Sequence, residues 1–164
     1  MEKHVRHSLY IDTAFSSRFN ERVLQRKDHY GKSKRIPHRR AERRFAQYFV
    51  GQSYLASVLD TPEFSIHNVT FEPGCRNNWH IHHGGAQVLI AVGGRGYYQI
   101  EGQEPKELKA GEAVCIPADT KHWHGAAPGE SFSHLAFMVP AGDPGAMSNE
   151  WLEPVDAQAY ESLA

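Results

Sequence analysis

Short apolar runs rich in β-branched and aromatic residues alternate with polar positions along the chain from Phe64 onward. Glycine, proline, asparagine or aspartate interrupts these runs about every 8 to 12 residues, a spacing typical of β-sandwiches and β-barrels. The predicted strands lie at residues 47–50, 53–58, 65–71, 77–82, 86–92, 96–101, 105–108, 113–116, 122–126 and 132–139. Because helix signals are nearly absent there, we predict an all-β domain.

The segments between and after these strands carry three further expectations. The sequence GGRG at 93–96 separates QVLIAV from YYQIE, and because its glycines can adopt positive φ, a β-hairpin is predicted there. Residues 140–151 are predicted to form a loop. The segment from Asp156 to Leu163 predicts a short C-terminal helix that is capped by Asp156.

The near-neutral charge of the chain conceals two opposed parts. The 164 residues carry a net charge of −1, from 18 Lys+Arg and 19 Asp+Glu. Residues 1–45 hold 13 Lys+Arg against 5 Asp+Glu, a net of +8, whereas the remainder holds 5 against 14, a net of −9. We therefore expect a basic N-terminal extension at 1–45, a barrel at 46–155 and a C-terminal tail at 156–164.

The basic extension has little apolar sequence with which to build a core. Its scattered apolar positions predict one weak helix at most; they are Leu9, Phe15, Phe19, Val23 and Leu24. The following sequence KSKRIPHRRAERR is too highly charged to bury, so we expect the extension to be largely irregular and poorly ordered.

Three interpretations of the extension stay open. It could be a solvated arm, a tail that binds nucleic acid or an acidic partner, or upstream sequence included through a misassigned start. No base-reading or base-stacking module accompanies it, so nucleic-acid binding is not expected.

The sequence also bears on location and on cysteine chemistry. No apolar run approaches the roughly 18 to 20 residues of a membrane-spanning helix. The N-terminus lacks the apolar stretch and cleavage site of a signal peptide, so we expect a cytoplasmic protein that does not associate with membranes. Cys75 and Cys115 are then expected to remain thiols, and because neither belongs to a CxxC pair, a thiolate zinc site is excluded.

Histidines are concentrated in two tight clusters. Seven of the 11 histidines follow residue 60, and five of these seven belong to the sequences WHIHH and HWH. His80 and His82 have the spacing that places two side chains on one face of a strand, and so do His122 and His124. His83 should then point elsewhere.

A metal site follows from this spacing. A turn after His83 would return the chain so that the Gln87 amide faces the same interior as the imidazoles. Imidazole and amide ligands suit Mn, Fe, Co, Ni, Cu or Zn, whereas the lack of a carboxylate ligand argues against calcium. Trp79 and Trp123 alternate with the histidines and are expected to pack in the core.

Two motifs in this region resemble those of the cupin superfamily. The first cupin motif, G-x5-H-x-H-x3,4-E-x6-G, is matched with glutamine in place of glutamate by Gly74, His80, His82, Gln87 and Gly94. The second, G-x5-P-x-G-x2-H-x3-N, is matched by Gly111, Pro117 and His122, with Asp119 and Ala126 in place of its second glycine and its asparagine. The resemblance implies a small jelly-roll β-barrel with a metal inside.

Gln87, which stands where most cupins have glutamate, points to a particular group within the superfamily. FEPGCRNNWHIHHGGAQVLI, KHWHGAAP and SHLAF are similar to bacterial cupins with glutamine as the third ligand, a group that includes manganese-dependent hydroxynitrile lyases and carboxymuconolactone-decarboxylase-associated cupins. This similarity implies that the protein binds one divalent metal ion. Manganese is the first expectation, and Fe, Ni, Co, Cu and Zn are the alternatives. The implied ligands are His80, His82, Gln87 and His122.

The resemblance also implies that His124 and His134 are pocket groups that do not bind the metal. His124 and His134 are the candidate catalytic residues, although from the residues alone His134 could equally be a histidine of the core. We expect His124 to act as the general base, because an ordinary imidazole has a pKa of about 6.5 and this one would lie close to a metal-bound substrate.

Neutral ligands indicate the kind of chemistry. Three imidazoles and an amide leave the charge of a dication uncompensated, which favours Lewis-acid catalysis on a small hydroxy-carbonyl compound by a lyase, decarboxylase or isomerase. A metal-dependent dioxygenase and a non-catalytic cupin that binds or senses a metabolite are the alternatives.

The pocket and the assembly are predicted only in outline. We expect a mixed aromatic pocket, whose candidate lining residues are Phe49, Tyr54, Tyr98, Phe132 and Met138. Pairing of exposed edge strands predicts a homodimer.

Overall fold

The computed structural model of the chain describes residues 40–41, 45–61 and 64–163. The predictions made for the basic extension fall on residues outside these ranges, except that Arg40 and Ala41 form a short strand. No helix in the described ranges combines the length and the apolar character needed to cross a membrane.

The fold is a curled antiparallel sheet, which confirms the all-β prediction. Its strands in chain order are β1 (Arg40–Ala41), β2 (Phe49–Val50), β3 (Ser53–Asp60), β4 (Ser65–Phe71), β5 (Arg76–Asn77), β6 (His80–His83), β7 (Gly85–Ile100), β8 (Lys106–Lys109), β9 (Ala113–Ile116), β10 (His122–Ala126), β11 (Phe132–Pro140) and β12 (Ser148–Trp151). The neighbours along the main path are β1-β3-β4-β11-β7-β10-β5-β2, while β12 pairs with β6, β6 with β10, and β8 and β9 with β7.

Strand β7 joins the two halves of this sheet. Its first part, from Gly85 to Gly94, pairs with β11, and its last part, from Gly96 to Ile100, pairs with β10. The hairpin predicted at residues 93–96 is therefore wrong, because one strand of 16 residues runs through it. The same strand also carries Gln87, so it brings that amide to the interior that β10 closes.

The glycines in β7 serve close packing rather than a turn. Gly94 has a φ of +70°, and a Cβ there would overlap the carbonyl oxygen of Ser131. A Cβ at Gly96 would lie 2.5 Å from the Gly125 carbonyl oxygen and 2.5 Å from the Phe132 ring. Side chains are thus excluded at positions 94 and 96, where the strand changes partners.

Two other segments were predicted with different success. The loop predicted at 140–151 is wrong in its last part, where β12 pairs with β6. The C-terminal helix is confirmed as α1 (Ala157–Glu161), and the Asp156 carboxylate accepts a hydrogen bond of 2.7 Å from the Ala159 N–H.

The core has two parts. The larger part fills the barrel and contains Phe71, Cys75, Leu89, Ala91, Leu108, Ile116, Ala126 and Phe132. In the smaller part, Trp123 packs against Tyr160 of α1 and against Trp79, which confirms the packing role predicted for the two tryptophans. Cys75 and Cys115 are free thiols, as predicted.

We predict that Gly94→Ala destabilises the protein far more than Gly102→Ala. Both glycines have positive φ, but a Cβ at Gly102 would have nothing within 4 Å. Gly102→Ala should cost only the left-handed backbone, about 1 to 2 kcal/mol. Gly94→Ala adds the clash with a backbone carbonyl and should cost about 3 kcal/mol or more. Urea denaturation measures both, and equal losses would contradict this account of β7.

Candidate metal centre

Three buried imidazoles converge inside the barrel. His80 and His82 come from β6, and His122 comes from β10, where it pairs with His80. Their exposed fractions are 1%, 6% and 0%, and one ring nitrogen from each lies within 4.8 Å of the others. No other group of three or more such potential ligands occurs in the part of the chain that the structure describes.

The outer nitrogen of each ring is held by an acceptor. The Nδ1–H groups donate to the Asn78 carbonyl at 2.9 Å, the Asn149 side-chain oxygen at 2.6 Å and the Thr120 carbonyl at 2.7 Å, in the order His80, His82, His122. Since these oxygens can only accept, each hydrogen sits on Nδ1, and each Nε2 keeps its lone pair. Metal-ligating histidines are oriented by such contacts.

Gln87, the fourth ligand predicted from the sequence, lies beside the three histidines. Its Oε1 lies 3.0 Å from His122 Nε2. Both atoms are acceptors in this arrangement, and a cation between them removes their repulsion. Ligand atoms at right angles, on bonds of roughly 2.1 Å, are separated by about 3.0 Å, so the spacing fits a transition-metal ion.

The Nε2 atom of His82 supplies a second sign that the site suits a cation. It is buried and has no hydrogen-bond partner. An unpaired buried acceptor is costly, and a metal bond would satisfy it. The four residues therefore fit a divalent metal.

Burial keeps the three rings in the neutral form that binds metals. Desolvation lowers the pKa of His122 to about 4 and that of His82 below its ordinary value. The pKa of His80 falls well below its ordinary value, first through burial and then through the charges that His122 and His82 would carry. Protons therefore compete weakly with a metal near neutral pH.

His124 lies beside this cluster and lines the cavity. Its backbone N–H donates to Asn77 Oδ1 at 3.0 Å, and Asn77 Nδ2 lies 3.1 Å from its Nε2. The expectation of an ordinary imidazole pKa is wrong, because burial, followed by the neighbouring His134, lowers the pKa of His124 well below its usual value.

His134 lies behind His124, away from the cavity lining. It is fully buried, with its ring centroid 5.1 Å from that of His124 and stacked on Phe132 at 4.9 Å. Neither of its ring nitrogens has a hydrogen-bond partner, and burial lowers its pKa to about 3. The catalytic roles expected for His124 and His134 stay predictions.

His83 points outward, as the strand spacing predicts. Its Nδ1 lies 2.6 Å from an Asp119 oxygen and its Nε2 lies 2.9 Å from a Glu150 oxygen. These hydrogen bonds raise its pKa above the ordinary value. Asp119 occupies the position where the second cupin motif has glycine. Its φ of +60° lies in the left-handed region, which explains why the motif has glycine at this position.

The cluster opens onto a cavity of about 590 Å³. Of the predicted lining residues, Phe49, Tyr54 and Met138 do line it, whereas Tyr98 and Phe132 do not. Phe132 instead belongs to the core. The cavity thus extends from the histidines towards β3 and β4, and Phe71 of the core lines part of it.

Three residues at the site were missed by the sequence analysis. Asn149 orients His82, Asn77 contacts His124, and Trp151 lies with its ring centroid 5.0 Å from that of His80. Asn149 and Trp151 reach the site only because β12 pairs with β6. No local pattern signals this pairing, since the partners are 67 residues apart.

Comparisons with known proteins agree with the fold and the site. The cupin domain family matches residues 67–139. An (R)-mandelonitrile lyase from Granulicella tundricola is 35% identical over 118 residues, which cover 70% of this chain and 87% of that protein. Fold and site together define a small cupin, and the chain belongs to the cupin family.

Solved structures show the same fold. A cupin-like protein from Thermotoga maritima is 31% identical, with a TM-score of 0.68 over 79% of this chain and 97% of that one. A predicted oxalate decarboxylase from the same organism is 17% identical, with a TM-score of 0.59 over 66% of this chain and 99% of that one. The second likeness concerns the fold alone.

We predict that Asn149→Ala weakens metal binding. Without the Asn149 oxygen, the His82 ring loses the contact that fixes its tautomer and orientation, which typically costs about 10- to 100-fold in metal affinity. Competition with a chelating dye measures the dissociation constant. Asn149→Asp keeps an acceptor oxygen and should bind metal at least as well as Asn149→Ala; an alanine variant with wild-type affinity would contradict the role of Asn149.

We also predict that His134→Leu makes the free energy of unfolding depend less on pH below about pH 6.5. A pKa of about 3 in the folded state lies below the roughly 6.5 of the unfolded state. The folded form thus binds this proton more weakly, so stability present above about pH 6.5 is lost as pH falls towards 3.

The leucine variant lacks this contribution, which amounts to at most about 1.4 kcal/mol per pH unit. Urea denaturation at pH 7 and pH 4.5, in the presence of a chelator, measures the difference. If wild type and variant lose stability in parallel, His134 is not a neutral buried imidazole.

Proposed function

We propose that this cupin is an enzyme that uses a divalent metal ion as a Lewis acid on a small hydroxy-carbonyl compound, with lyase, decarboxylase or isomerase chemistry. The observation that carries the proposal is the set of donors directed at one point: an Nε2 lone pair from each of His80, His82 and His122, and the Gln87 oxygen. We propose manganese as the first ion to test, because the sequence resembles cupins with a glutamine ligand that use manganese; nitrogen and oxygen donors without thiolate also suit Fe, Ni, Co, Cu or Zn.

The donor set supports Lewis-acid chemistry because it has no formal charge. A dication held by neutral ligands keeps its full charge, so it stabilises an oxygen anion that develops on the substrate and lowers the pKa of a bound hydroxyl group. A carboxylate at position 87 would cancel part of this effect. A glutamine rather than a glutamate at position 87 would therefore preserve the charge of the ion as well as supply a ligand.

His124 is the group of this chain that we assign to proton transfer. It is adjacent to the ligand His80, with ring centroids 5.6 Å apart, and its ring lines the cavity. Burial keeps the ring neutral and lowers its pKa, so it would accept a proton only from a hydroxyl group that the bound ion has made more acidic. Asn77 holds its backbone and approaches its ring, so the ring is oriented for this role. We assign His134, which lies behind His124, a positioning role.

The (R)-mandelonitrile lyase relative supports a lyase among the three reaction types. It is 35% identical over 118 residues, which cover 70% of this chain. Mandelonitrile is therefore the first substrate to test, followed by aryl hydroxyketones.

The deciding experiment combines elemental analysis with turnover. Protein purified without added metal should contain about one transition-metal ion per chain, and turnover should disappear with a chelator and return with the ion. His124→Ala should keep the ion while turnover falls by about 10²- to 10⁴-fold. His83→Ala, a histidine that faces away from the cavity, is the control and should keep both.

Two results would contradict the proposal. One is native and reconstituted protein that alike bind no metal. The other is a His124→Ala variant with the metal content and the turnover of wild type.

A further inference from the structure

The cavity wall is free of formal charge although the domain is strongly acidic. None of the described residues that line the cavity is Asp, Glu, Lys or Arg. Residues 46–164 nevertheless contain 19 such residues with a net charge of −9. An ionised group bound away from the histidine cluster would therefore find no Asp, Glu, Lys or Arg as a countercharge on the described wall, and burying an unpaired charge is costly.

The amide side chains of the wall lie at the histidine end; they are Asn77, Asn149 and Gln87. Ser53, Tyr54 and His67 are further polar residues of the lining. At the far end, the Thr61 hydroxyl donates to the Phe64 carbonyl at 2.9 Å, and the Ser65 hydroxyl donates to Asp60. These hydroxyl hydrogens are already used within the protein. A ligand thus meets one polar end and a mainly apolar body.

A rigid aromatic surface stands next to the polar end. Trp151 lines the cavity with its ring 5.0 Å from the His80 ring, and it stacks on Tyr48, which is not among the lining residues, with centroids 4.7 Å apart and planes 2° apart. Phe49 also packs against Trp151 at 5.9 Å. This stacking fixes the indole before a ligand binds, so a planar ring can pack at little entropic cost on the part of the indole that faces the cavity.

The size of the cavity adds a lower bound on the ligand. A volume of about 590 Å³ lies within the range of pockets that enclose drug-sized molecules. A two-carbon or three-carbon acid would leave most of the apolar wall in contact with water.

We infer that the substrate is an uncharged molecule with one oxygen-bearing head and a bulky apolar body that carries a planar ring, and that Trp151 selects for the ring. The head is the hydroxy-carbonyl group of the proposed function, on which this inference rests. The class excludes molecules with a phosphate, carboxylate or ammonium group on the body. Trp151 acts as a specificity-determining residue, since it contacts the body and not the ion.

Three probes with the same hydroxyketone head test the inference by binding to the metal-loaded protein. 2-Hydroxyacetophenone has a neutral ring, 4-(2-hydroxyacetyl)benzoate has the ring with a carboxylate at its far end, and hydroxyacetone has no ring. Isothermal titration calorimetry should give a dissociation constant for 2-hydroxyacetophenone at least about tenfold below those of the other two.

Variants at position 151 assign the preference to the indole. Trp151→Leu should remove most of the advantage of 2-hydroxyacetophenone over hydroxyacetone, whereas Trp151→Phe should restore most of it. Metal content is measured for each variant, and unchanged content with a lost ring preference supports the assignment.

The inference is overturned if the benzoate binds as tightly as 2-hydroxyacetophenone, if hydroxyacetone binds equally well, or if 2-hydroxyacetophenone shows no saturable binding. A loss that is equal for all three probes in Trp151→Leu overturns the role of the indole. Binding requires no turnover, so the predicted order of affinities in a protein that turns over no substrate contradicts the proposed function and leaves this inference standing.

Discussion

The structure depends on holding three buried imidazoles neutral with their lone pairs directed at one point. Burial alone fixes the charge, because desolvation lowers the pKa of each ring. It does not fix the direction, since an imidazole can carry its hydrogen on either nitrogen. The acceptors at Asn78, Asn149 and Thr120 fix it, and they come from three separate segments of the chain. The strand pairings that bring these segments together are therefore requirements of the site as well as of the fold.

Strand β7 meets a second requirement, because a fourth donor must arrive from the opposite half of the sheet. One continuous strand delivers Gln87 through its first half and pairs with the histidine strand β10 through its second. Such a strand must cross the tight region near Ser131 and Phe132, where glycine alone fits. The glycines of β7 and the donor at Gln87 are thus parts of one structural solution.

This also explains what the sequence could and could not predict. The period-2 spacing of His80 and His82, and the opposite parity of Trp123, are local properties of a strand, and they were predicted correctly. The hairpin at 93–96 was wrong because glycine marks both turns and close approaches of backbones, and the sequence does not distinguish them. Asn149 and Trp151 were missed because pairing of distant strands leaves no mark in either segment. The prediction of an ordinary pKa for His124 was wrong because burial, rather than residue type, sets this pKa.

The absence of charge on the donors and on the described cavity wall has one common electrostatic consequence. With neutral histidines, a neutral amide and no Asp, Glu, Lys or Arg among the described lining residues, a bound ion would be the dominant charge in the cavity. Its field would weaken little over the short distance to a bound oxygen, because the apolar wall has a low dielectric constant. An anion developing on that oxygen is stabilised, while a charge placed anywhere else on the substrate loses its hydration without compensation. The features that make the site suitable for Lewis-acid catalysis therefore also restrict what it can bind.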